Sequence, residues 1–312
     1  MLSHNDKRAG KPPPGSEMIQ NELDAILPLT RTRSKESEDF ERAKLLIRSL
    51  NRFIAVNHAI NLFIAVDRDE RGAAQRMFLP LTTQAIRISV VHSANIVPDL
   101  DRYAAHGYHK QQVIKLGFPR LVGREHYLCL DADIVCVQPL HVDRLLADKK
   151  STMGMMSRVP DNIRAWLNAS SEVSGLPCDP ECRSMTYTPA LLSRDIVRAL
   201  WQALESKYGL PWYAALLSQA HRNWSEYALY YLMACHSGLL ETHHRVVEAG
   251  DPKGLVNFGH SFFTAEQAAR WNPAAAFTPG AGEQFIICNS GAGMPAIFVE
   301  NGVDRHLTAR PA

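Results

Sequence analysis

The sequence predicts an α/β fold in which a mostly parallel, mixed sheet is flanked by helices in a single domain. Short apolar runs alternate with helical patterns over about 110 residues, as strands and helices do in a doubly wound sheet. Each apolar run ends at polar residues, as expected where a strand leaves a buried sheet. A chain of 312 residues is also long enough to bury the core of one large domain.

The first half of the chain carries the clearest pattern. Phe40, Ala43, Ile47, Leu50 and Ile54 recur at helical spacing and predict one strong helix. Strands are predicted at 24–30, 60–66, 86–91 and 127–130, and further helices at 73–79 and 108–116. The order strand, helix, strand, helix, strand, helix, strand favours a parallel sheet with helical crossovers.

The second half of the chain is less regular. We predict strands at 152–157 and 285–288 and helices at 191–208 and 224–236. Residues 158–184, which carry proline, glycine, serine and cysteine, are predicted to form a loop or lid. Residues 1–20 are rich in proline and are predicted to form a disordered lead-in. Since no convincing linker follows, residues 21–140 and 141–312 are predicted to be two halves of one domain.

Composition excludes some classes of protein. The formal net charge of +2 is too small to indicate a nucleic-acid partner. The N-terminus M-L-S-H-N-D-K-R lacks the apolar core of a signal peptide, and the apolar stretches are too short to span a membrane. With six cysteines in no disulfide framework, these features predict a protein of a reducing, cytoplasmic compartment.

Two carboxylates stand at the end of the fourth apolar run, in H-Y-L-C-L-D-A-D from His126 to Asp133. An unpaired ionised carboxylate inside a buried strand is very costly, so the strand ends at Asp131 or a cation is bound there. In an extended chain the two carboxylates would point the same way. They therefore predict a site for Mn²⁺ or Mg²⁺, which take oxygen ligands and substrate phosphates. An Asp pair that caps the following turn is the alternative.

Other polar residues are expected near the same edge of the sheet, because ligands of such sheets bind beyond the carboxyl ends of the strands. Gln111, Gln112 and Lys115 form a polar group on the predicted helix 108–116, where a solvated helix face is the alternative. Thr30 and Arg31 stand at the end of the first strand and are also candidates for ligand binding. A simple strand-end turn is the alternative for these two residues.

The stretch H-Y-L-C-L-D-A-D-I-V-C-V-Q-P-L resembles the metal-binding segment of glycosyltransferases with the GT-A fold, a Rossmann-like α/β fold. Two further segments, Q-Q-V-I-K-L at 111–116 and S-E-Y-A-L-Y at 225–230, are similar to a bacterial subgroup of polysaccharide glycosyltransferases. The resemblance covers roughly residues 24–300 in the same order. It departs from the pattern at Gly117-Phe118-Pro119 and at Cys288-Asn289-Ser290, which affects the acceptor side more than the fold.

The resemblance implies a nucleotide-sugar donor, a divalent cation on its diphosphate, and an acceptor hydroxyl that receives the sugar. Asp133 is expected to ligate the metal directly. Asp131 is expected to contact the ribose or the sugar of the donor, or to reach the metal through a water molecule. The other expected donor contacts are Thr30 and Arg31 on the base and ribose and Gln111, Gln112 and Lys115 on the sugar and phosphates.

Glu226 is the candidate catalytic base, since an inverting transferase needs a carboxylate or histidine to take the proton of the attacking hydroxyl. It stands among Trp224, Tyr227 and Tyr230, an apolar setting that could raise its pKa. A structural role at the start of a helix, with Ser225 as the cap, is equally consistent with the sequence. The resemblance also implies a late metal ligand, for which His260 has the right chemistry.

The resemblance implies a role in the synthesis of a bacterial surface polysaccharide. Residues 21–140 would bind the nucleotide sugar and residues 141–312 the acceptor, a glycan or a lipid-linked glycan. A lipid-linked acceptor would bring the protein to the inner face of the membrane.

Three other classes of protein share some of these features. A haloacid-dehalogenase-type phosphatase also has D-x-D after a strand, but there the motif normally opens the domain, whereas here three strands precede it. A sugar-phosphate nucleotidyltransferase should carry a glycine-rich loop after the first strand, and T-R-T-R-S at 30–34 has no glycine. A non-catalytic GT-A-like domain that binds sugar nucleotides remains the third alternative.

Overall fold

The computed structural model describes residues 19, 21–29, 36–178, 181, 183–185, 187–280 and 282–308. The disordered lead-in predicted for residues 1–20 lies outside the described residues, apart from Ile19. The strands are β1 (Asn21–Leu29), β2 (His58–Val66), β3 (Ile86–His92), β4 (His126–Cys129), β5 (Ile134–Cys136), β6 (Ser151–Met155), β7 (Ala190–Ser193), β8 (His244–Glu248) and β9 (Phe285–Ile287).

Helices connect these strands and cover the sheet. They are α1 (Glu36–Phe53), α2 (Arg71–Phe78), α3 (Gly107–Gly117), α4 (Val142–Leu145), α5 (Asp161–Ser174), α6 (Arg194–Tyr208), α7 (Trp212–Ser218), α8 (Glu226–His236), α9 (Leu240–His243), α10 (Ala265–Ala269) and α11 (Ala296–Thr308). Short 3₁₀ turns join several of them, including Phe118–Arg120, which continues α3 past Gly117.

Within the described residues, the central sheet has five strands in the order β3-β2-β1-β4-β7. The first four are parallel, and β7 runs antiparallel to β4 at the edge. The chain builds outward from β1 through β2 to β3, then crosses to the other side of β1 to form β4. Strand order therefore reverses between β1 and β4, and such a switch point leaves a crevice at the carboxyl ends of the two strands.

Apolar side chains bury both faces of the sheet, as a mostly parallel sheet requires. Side chains alternate between faces along each strand. Ile26 and Cys129 belong to the core shared with α3, α5, α6 and α8, whereas Leu27 and Leu128 belong to the core shared with α1 and α2. The central strands are thus held between two apolar layers, and only their ends meet solvent.

Two smaller sheets extend the structure. β5 leaves the central sheet directly after the D-A-D segment and pairs antiparallel with β9. β6 pairs in parallel with β8. The D-A-D segment is therefore the connection between the central sheet and the β5–β9 pair, which fixes its backbone from both sides.

The predicted single-domain α/β fold with a mostly parallel sheet and flanking helices is confirmed, and its first-half elements lie where the periodicity placed them. The loop or lid predicted for 158–184 is wrong over half of its length, because α5 occupies residues 161–174. Leu167, Ser170 and Val173 are buried at helical spacing, a signal that the proline, glycine and serine content of the segment obscured. The helix ends at Gly175, whose φ of 77° suits glycine.

The predicted helix 191–208 also needs correction. Its first residues form β7, and the helix begins only at Arg194. Ser193 separates the two elements, because its hydroxyl accepts hydrogen bonds from the backbone N–H groups of Asp195 and Ile196 and caps α6. A run such as A-L-L-S is apolar in either conformation, and only pairing with β4 makes it a strand.

None of the helices in the described ranges combines the length and the apolar composition that crossing a membrane requires.

Candidate functional site

A cleft of about 570 Å³ opens at the carboxyl ends of β1 and β4, where the order of the strands reverses. Pro28 and Leu29 of β1 and residues 131–133 after β4 form its base. α3 and the start of α8 form one wall, and the segment after β9 forms another. The cleft brings together six of the residues that the sequence predicted, from three segments of the chain: Gln111, Gln112, Lys115, Asp131, Asp133 and Glu226.

The D-A-D segment is a turn and not an extended strand end, so the expectation that both carboxylates point the same way is wrong. The strand ends at Cys129, and Ala132 and Asp133 lie in the turn that leads into β5. Asp131 is directed to Lys115, and Asp133 is directed to the backbone after β9. The turn therefore gives the two carboxylates different partners.

Asp133 is fixed by the backbone of residues 288–290. Its Oδ2 accepts a hydrogen bond from Ser290 N at 2.8 Å, and its backbone carbonyl accepts one from Cys288 N at 2.7 Å. The side chain keeps some contact with solvent in the cleft, but burial and the neighbouring carboxylate of Asp131 raise its pKa. A carboxylate held in this way by protein, and disfavoured in its charged form, gains from a nearby cation.

Lys115 forms ion pairs with two carboxylates of the cleft, those of Asp131 and Glu226. Its Nζ lies 2.7 Å from Asp131 Oδ1 and 2.9 Å from Glu226 Oε1, and 5.0 Å from the ring centre of Tyr227. Burial lowers the pKa of Lys115, but the charges of Asp131 and Glu226 outweigh burial and hold the pKa well above its ordinary value. Lys115 is therefore a buried ammonium that forms ion pairs with both of these carboxylates.

Glu226 stands at the first position of α8 and is buried. Its backbone N–H donates to Gln112 Oε1 at 2.9 Å, and its carboxylate is bound by Lys115. Ser225 is the N-cap residue, but its side chain makes no capping hydrogen bond. Two residues of α3 thus fix both the backbone and the side chain of Glu226.

The carboxylates give the base of the cleft an excess of negative charge. Asp131, Asp133 and Glu226 contribute three negative charges when ionised against the one positive charge of Lys115, which leaves −2 for these four side chains. A diphosphate placed here would be repelled unless a cation accompanied it. Carboxylate oxygens are the ligands that Mn²⁺ and Mg²⁺ prefer, so the residues present fit such an ion.

The structure does not bring every predicted ligand to the cleft. His260 ends a short helical turn, where its backbone N–H bonds to Asn257 Oδ1, and it is not among the residues that line the cleft. Thr30 and Arg31 lie outside the described residues. Asn289 and Ser290, by contrast, line the cleft beside Asp133.

Among the described residues, neither Asp131 nor Asp133 belongs to a group of three potential metal ligands with mutually close donor atoms. The two groups that meet this criterion lie elsewhere, at His58, His141 and Asp143 and at Glu125, His126 and His243. A metal at the D-A-D segment would thus complete its coordination with oxygen atoms of a substrate or water, which is common for Mg²⁺.

Sequence reasoning missed the aromatic residues of the cleft. Tyr108, Trp166, Tyr187 and Phe263 all line it, from four separate parts of the chain. For Tyr108 a signal existed, since it precedes Gln112 by four residues and so shares its face of α3. The other three depend on tertiary contacts that no local pattern contains.

Replacing Gly154 of β6 with alanine should lower the free energy of unfolding by about 1–3 kcal/mol, the usual cost of overpacking. A Cβ atom at this position would overlap the hydroxyl and ring of Tyr187, which rests on the glycine. Urea unfolding of the variant measures the effect. Gly123→Ala is the matched control, because nothing lies within 4 Å of a Cβ there. Equal stability of the two variants would contradict the close packing of Tyr187 on β6.

Together, the fold and the cleft define an α/β protein with a carboxylate-bearing ligand site at the switch point of its sheet. The chain belongs to a family of unknown function, DUF6492, whose model matches residues 20–309. A solved structure of mouse xyloside xylosyltransferase 1 in its apo form is similar, with 12% sequence identity and a TM-score of 0.49 over 88% of this chain and 100% of the mouse chain. A comparison with curated protein sequences gave no match.

Proposed function

We propose that this protein is a glycosyltransferase that uses a nucleotide-sugar donor and a divalent cation. The observation that carries the proposal is the position of Asp131 and Asp133, which line the cleft at the carboxyl end of β4, beside the switch point. The resemblance of the D-A-D, Q-Q-V-I-K-L and S-E-Y-A-L-Y segments to GT-A glycosyltransferases supports it, because all three segments meet in this cleft.

Asp133 would hold the cation, with Mn²⁺ or Mg²⁺ as the ion. Bound there, the ion would neutralise charge on the departing diphosphate. Asp131 would accept hydrogen bonds from hydroxyls of the donor, since Lys115 draws its carboxylate toward α3. Gln111 and Gln112 would bind the donor from the same helix, whose residues line the cleft. Thr30 and Arg31 would bind the base and ribose, and His260 would need to approach from outside the cleft lining to serve as a ligand.

Glu226 would act as the base. Its Oε1 is bound to Lys115 at 2.9 Å, so the proton of the acceptor hydroxyl would pass to Oε2. Gln112 and Lys115 would keep the carboxylate at a fixed position for this transfer.

The proposal also includes the acceptor and the cellular role of the protein. The acceptor would be a glycan or a lipid-linked glycan of a bacterial surface polysaccharide, and a lipid-linked acceptor would place the protein at the inner face of the membrane. Residues 21–140 would bind the donor and residues 141–312 the acceptor. Such a role fits a cytoplasmic protein, since nucleotide sugars are made there.

A panel of nucleotide sugars tests the proposal. UDP-glucose, UDP-galactose, UDP-N-acetylglucosamine and GDP-mannose are added to the protein with Mn²⁺ and with EDTA, and melting temperature and donor hydrolysis are measured. We expect at least one donor to raise the melting temperature only with the metal and to be hydrolysed slowly. Binding without any hydrolysis would support a non-catalytic domain, and no shift with any donor would refute the proposal. Full turnover by Glu226→Gln would remove Glu226 as the base.

A further inference from the structure

Two aromatic side chains from two different helices line the cleft that holds Glu226. Tyr108 belongs to α3 and Trp166 to α5, and both line the cleft. Tyr108 is 43% exposed, and Trp166 is partly exposed. Aromatic rings that line a cleft offer a ligand a large apolar surface.

The contacts of α3 show where Tyr108 stands. Tyr108, Gln112 and Lys115 follow one another at intervals of four and three residues, so they share one face of the helix. Gln112 accepts a hydrogen bond from Glu226 N, and Lys115 binds the Glu226 carboxylate. The face that carries Tyr108 is therefore the face packed on Glu226, with Tyr108 one turn beyond Gln112 at the mouth of the cleft.

The contacts of α5 place Trp166 in the same way. Ser170 accepts a hydrogen bond from Ser225 N at 3.0 Å, which ties α5 to the residue just before Glu226. Trp166 precedes Ser170 by four residues and shares its face of α5. The indole therefore lies one helical turn along α5 from the residue that is hydrogen-bonded to Ser225, and it lines the same cleft as Glu226.

Two buried polar groups of the same cleft have no hydrogen-bond partner within the described structure. Gln112 uses its Oε1 for Glu226 N–H, and its Nε2 has no hydrogen-bond partner among the described residues. The hydroxyl of Tyr227 is likewise unpartnered within the described structure. Both side chains line the cleft and are more than nine-tenths buried. Unsatisfied buried polar groups are costly, so a ligand that supplies hydroxyls would stabilise the site.

From this arrangement we infer that Tyr108 and Trp166 form the acceptor subsite and that its ligand is a saccharide. A sugar ring has an apolar face that packs on aromatic rings and a rim of hydroxyls that suits the hydroxyl of Tyr227. Tyr108 would then contact the acceptor although it belongs to residues 21–140, most of which are assigned to the donor. The inference rests on the proposed transferase function, because an acceptor hydroxyl must reach Glu226 within hydrogen-bond distance. Aromatic rings that line the same cleft as that carboxylate would hold the saccharide where one of its hydroxyls can reach Glu226.

Phe263 offers an internal comparison. It is 37% exposed and lines the same cleft. Its neighbour Phe262 exchanges backbone hydrogen bonds with Ile287 and Asn289, which places this segment against the Asp133 side of the cleft. The acceptor subsite should therefore depend on Tyr108 and Trp166 and not on Phe263.

The test measures saccharide and nucleotide binding separately. Maltotetraose, cellotetraose and N-acetylchitotetraose are titrated against the full chain by saturation-transfer NMR, and UDP and GDP with Mn²⁺ by calorimetry. We expect at least one tetrasaccharide to bind the unaltered protein. Tyr108→Leu and Trp166→Leu should each weaken it at least about 10-fold, since leucine keeps bulk but removes the aromatic face. Two control variants should leave saccharide binding unchanged: Phe263→Leu, and Leu210→Ala at an exposed position outside the cleft lining.

Each contrary result has one meaning. If no tetrasaccharide binds, or if Phe263→Leu is the variant that loses binding, the inference is overturned. It is also overturned if Tyr108→Leu and Trp166→Leu weaken the nucleotide and not the saccharide, because the rings would then belong to the donor site. If saccharide binds as expected but no nucleotide binds, the proposed transferase function fails while the saccharide subsite stands.

Discussion

Replacing Asp133 with asparagine should lower metal-dependent donor hydrolysis by more than about 100-fold, because the loss of an outer-shell partner alone costs 10–100-fold in metal sites. The variant keeps the size of the side chain and an oxygen that can accept the hydrogen bond from Ser290 N. It removes the negative charge that would hold the cation. Donor hydrolysis at saturating Mn²⁺, and calorimetric titration of nucleotide with the metal, measure the loss.

Asp148→Asn is the matched control for this substitution. Asp148 is exposed and adopts a φ of 57°, a conformation that asparagine also tolerates, so the backbone should be unaffected. We expect Asp148→Asn to keep normal turnover and Asp133→Asn to keep a normal melting temperature without ligand. Unchanged metal-dependent hydrolysis in Asp133→Asn would show that the cation, if one is used, is held elsewhere.

Replacing Lys115 with methionine should destabilise the fold by about 3–5 kcal/mol, the usual result of removing one partner of a buried ion pair. Methionine fills most of the space of the lysine stem, so the loss is electrostatic and not a cavity. Glu226 would remain buried without its cation, and Asp131 would lose its 2.7 Å contact. Urea unfolding at neutral pH measures the change in the free energy of unfolding.

A double variant separates charge from packing. Adding Glu226→Gln to Lys115→Met removes the unpaired buried charge, so most of the lost stability should return. Lys253→Met, at an exposed position, is the control and should stay within about 0.5 kcal/mol of the original protein. If the double variant is as unstable as the single one, the ion pair is not the source of the loss.

The ion pair also sets a dependence on pH. The pKa of Lys115 is held well above its ordinary value in the folded protein by Asp131 and Glu226, despite burial. A group with a raised folded pKa contributes its full stability below its unfolded pKa and loses it as the pH rises through the folded value. The Lys115 contribution is therefore complete at neutral pH and falls only in strongly alkaline solution.

Local sequence patterns were sufficient for the first half of the fold. The alternation of apolar runs with the spacing of Phe40, Ala43 and Ile47 predicted β1, α1 and β2 within a few residues, because both faces of the sheet are buried and leave a continuous apolar signal. α5 was missed because the proline, glycine and serine of its segment obscured its helical spacing, and β7 because an apolar run of four residues suits a helix or a strand. Pairing with β4 makes β7 a strand, and a hydrogen bond from Ser225 to Ser170 holds α5 against the start of α8.

The candidate site likewise combines residues that the sequence identifies with contacts that only the tertiary structure defines. The sequence by itself determined which charged residues stand in apolar surroundings, namely Asp131 and Asp133 after a strand and Lys115 and Glu226 on predicted helices, because such groups stand out without any knowledge of the fold. Tertiary structure decided how they pair. Lys115 and Glu226 are 111 residues apart and meet at 2.9 Å only because α3 and α8 pack on the same face of the sheet. Ion pairing depends on distance in space, which the order of residues does not contain.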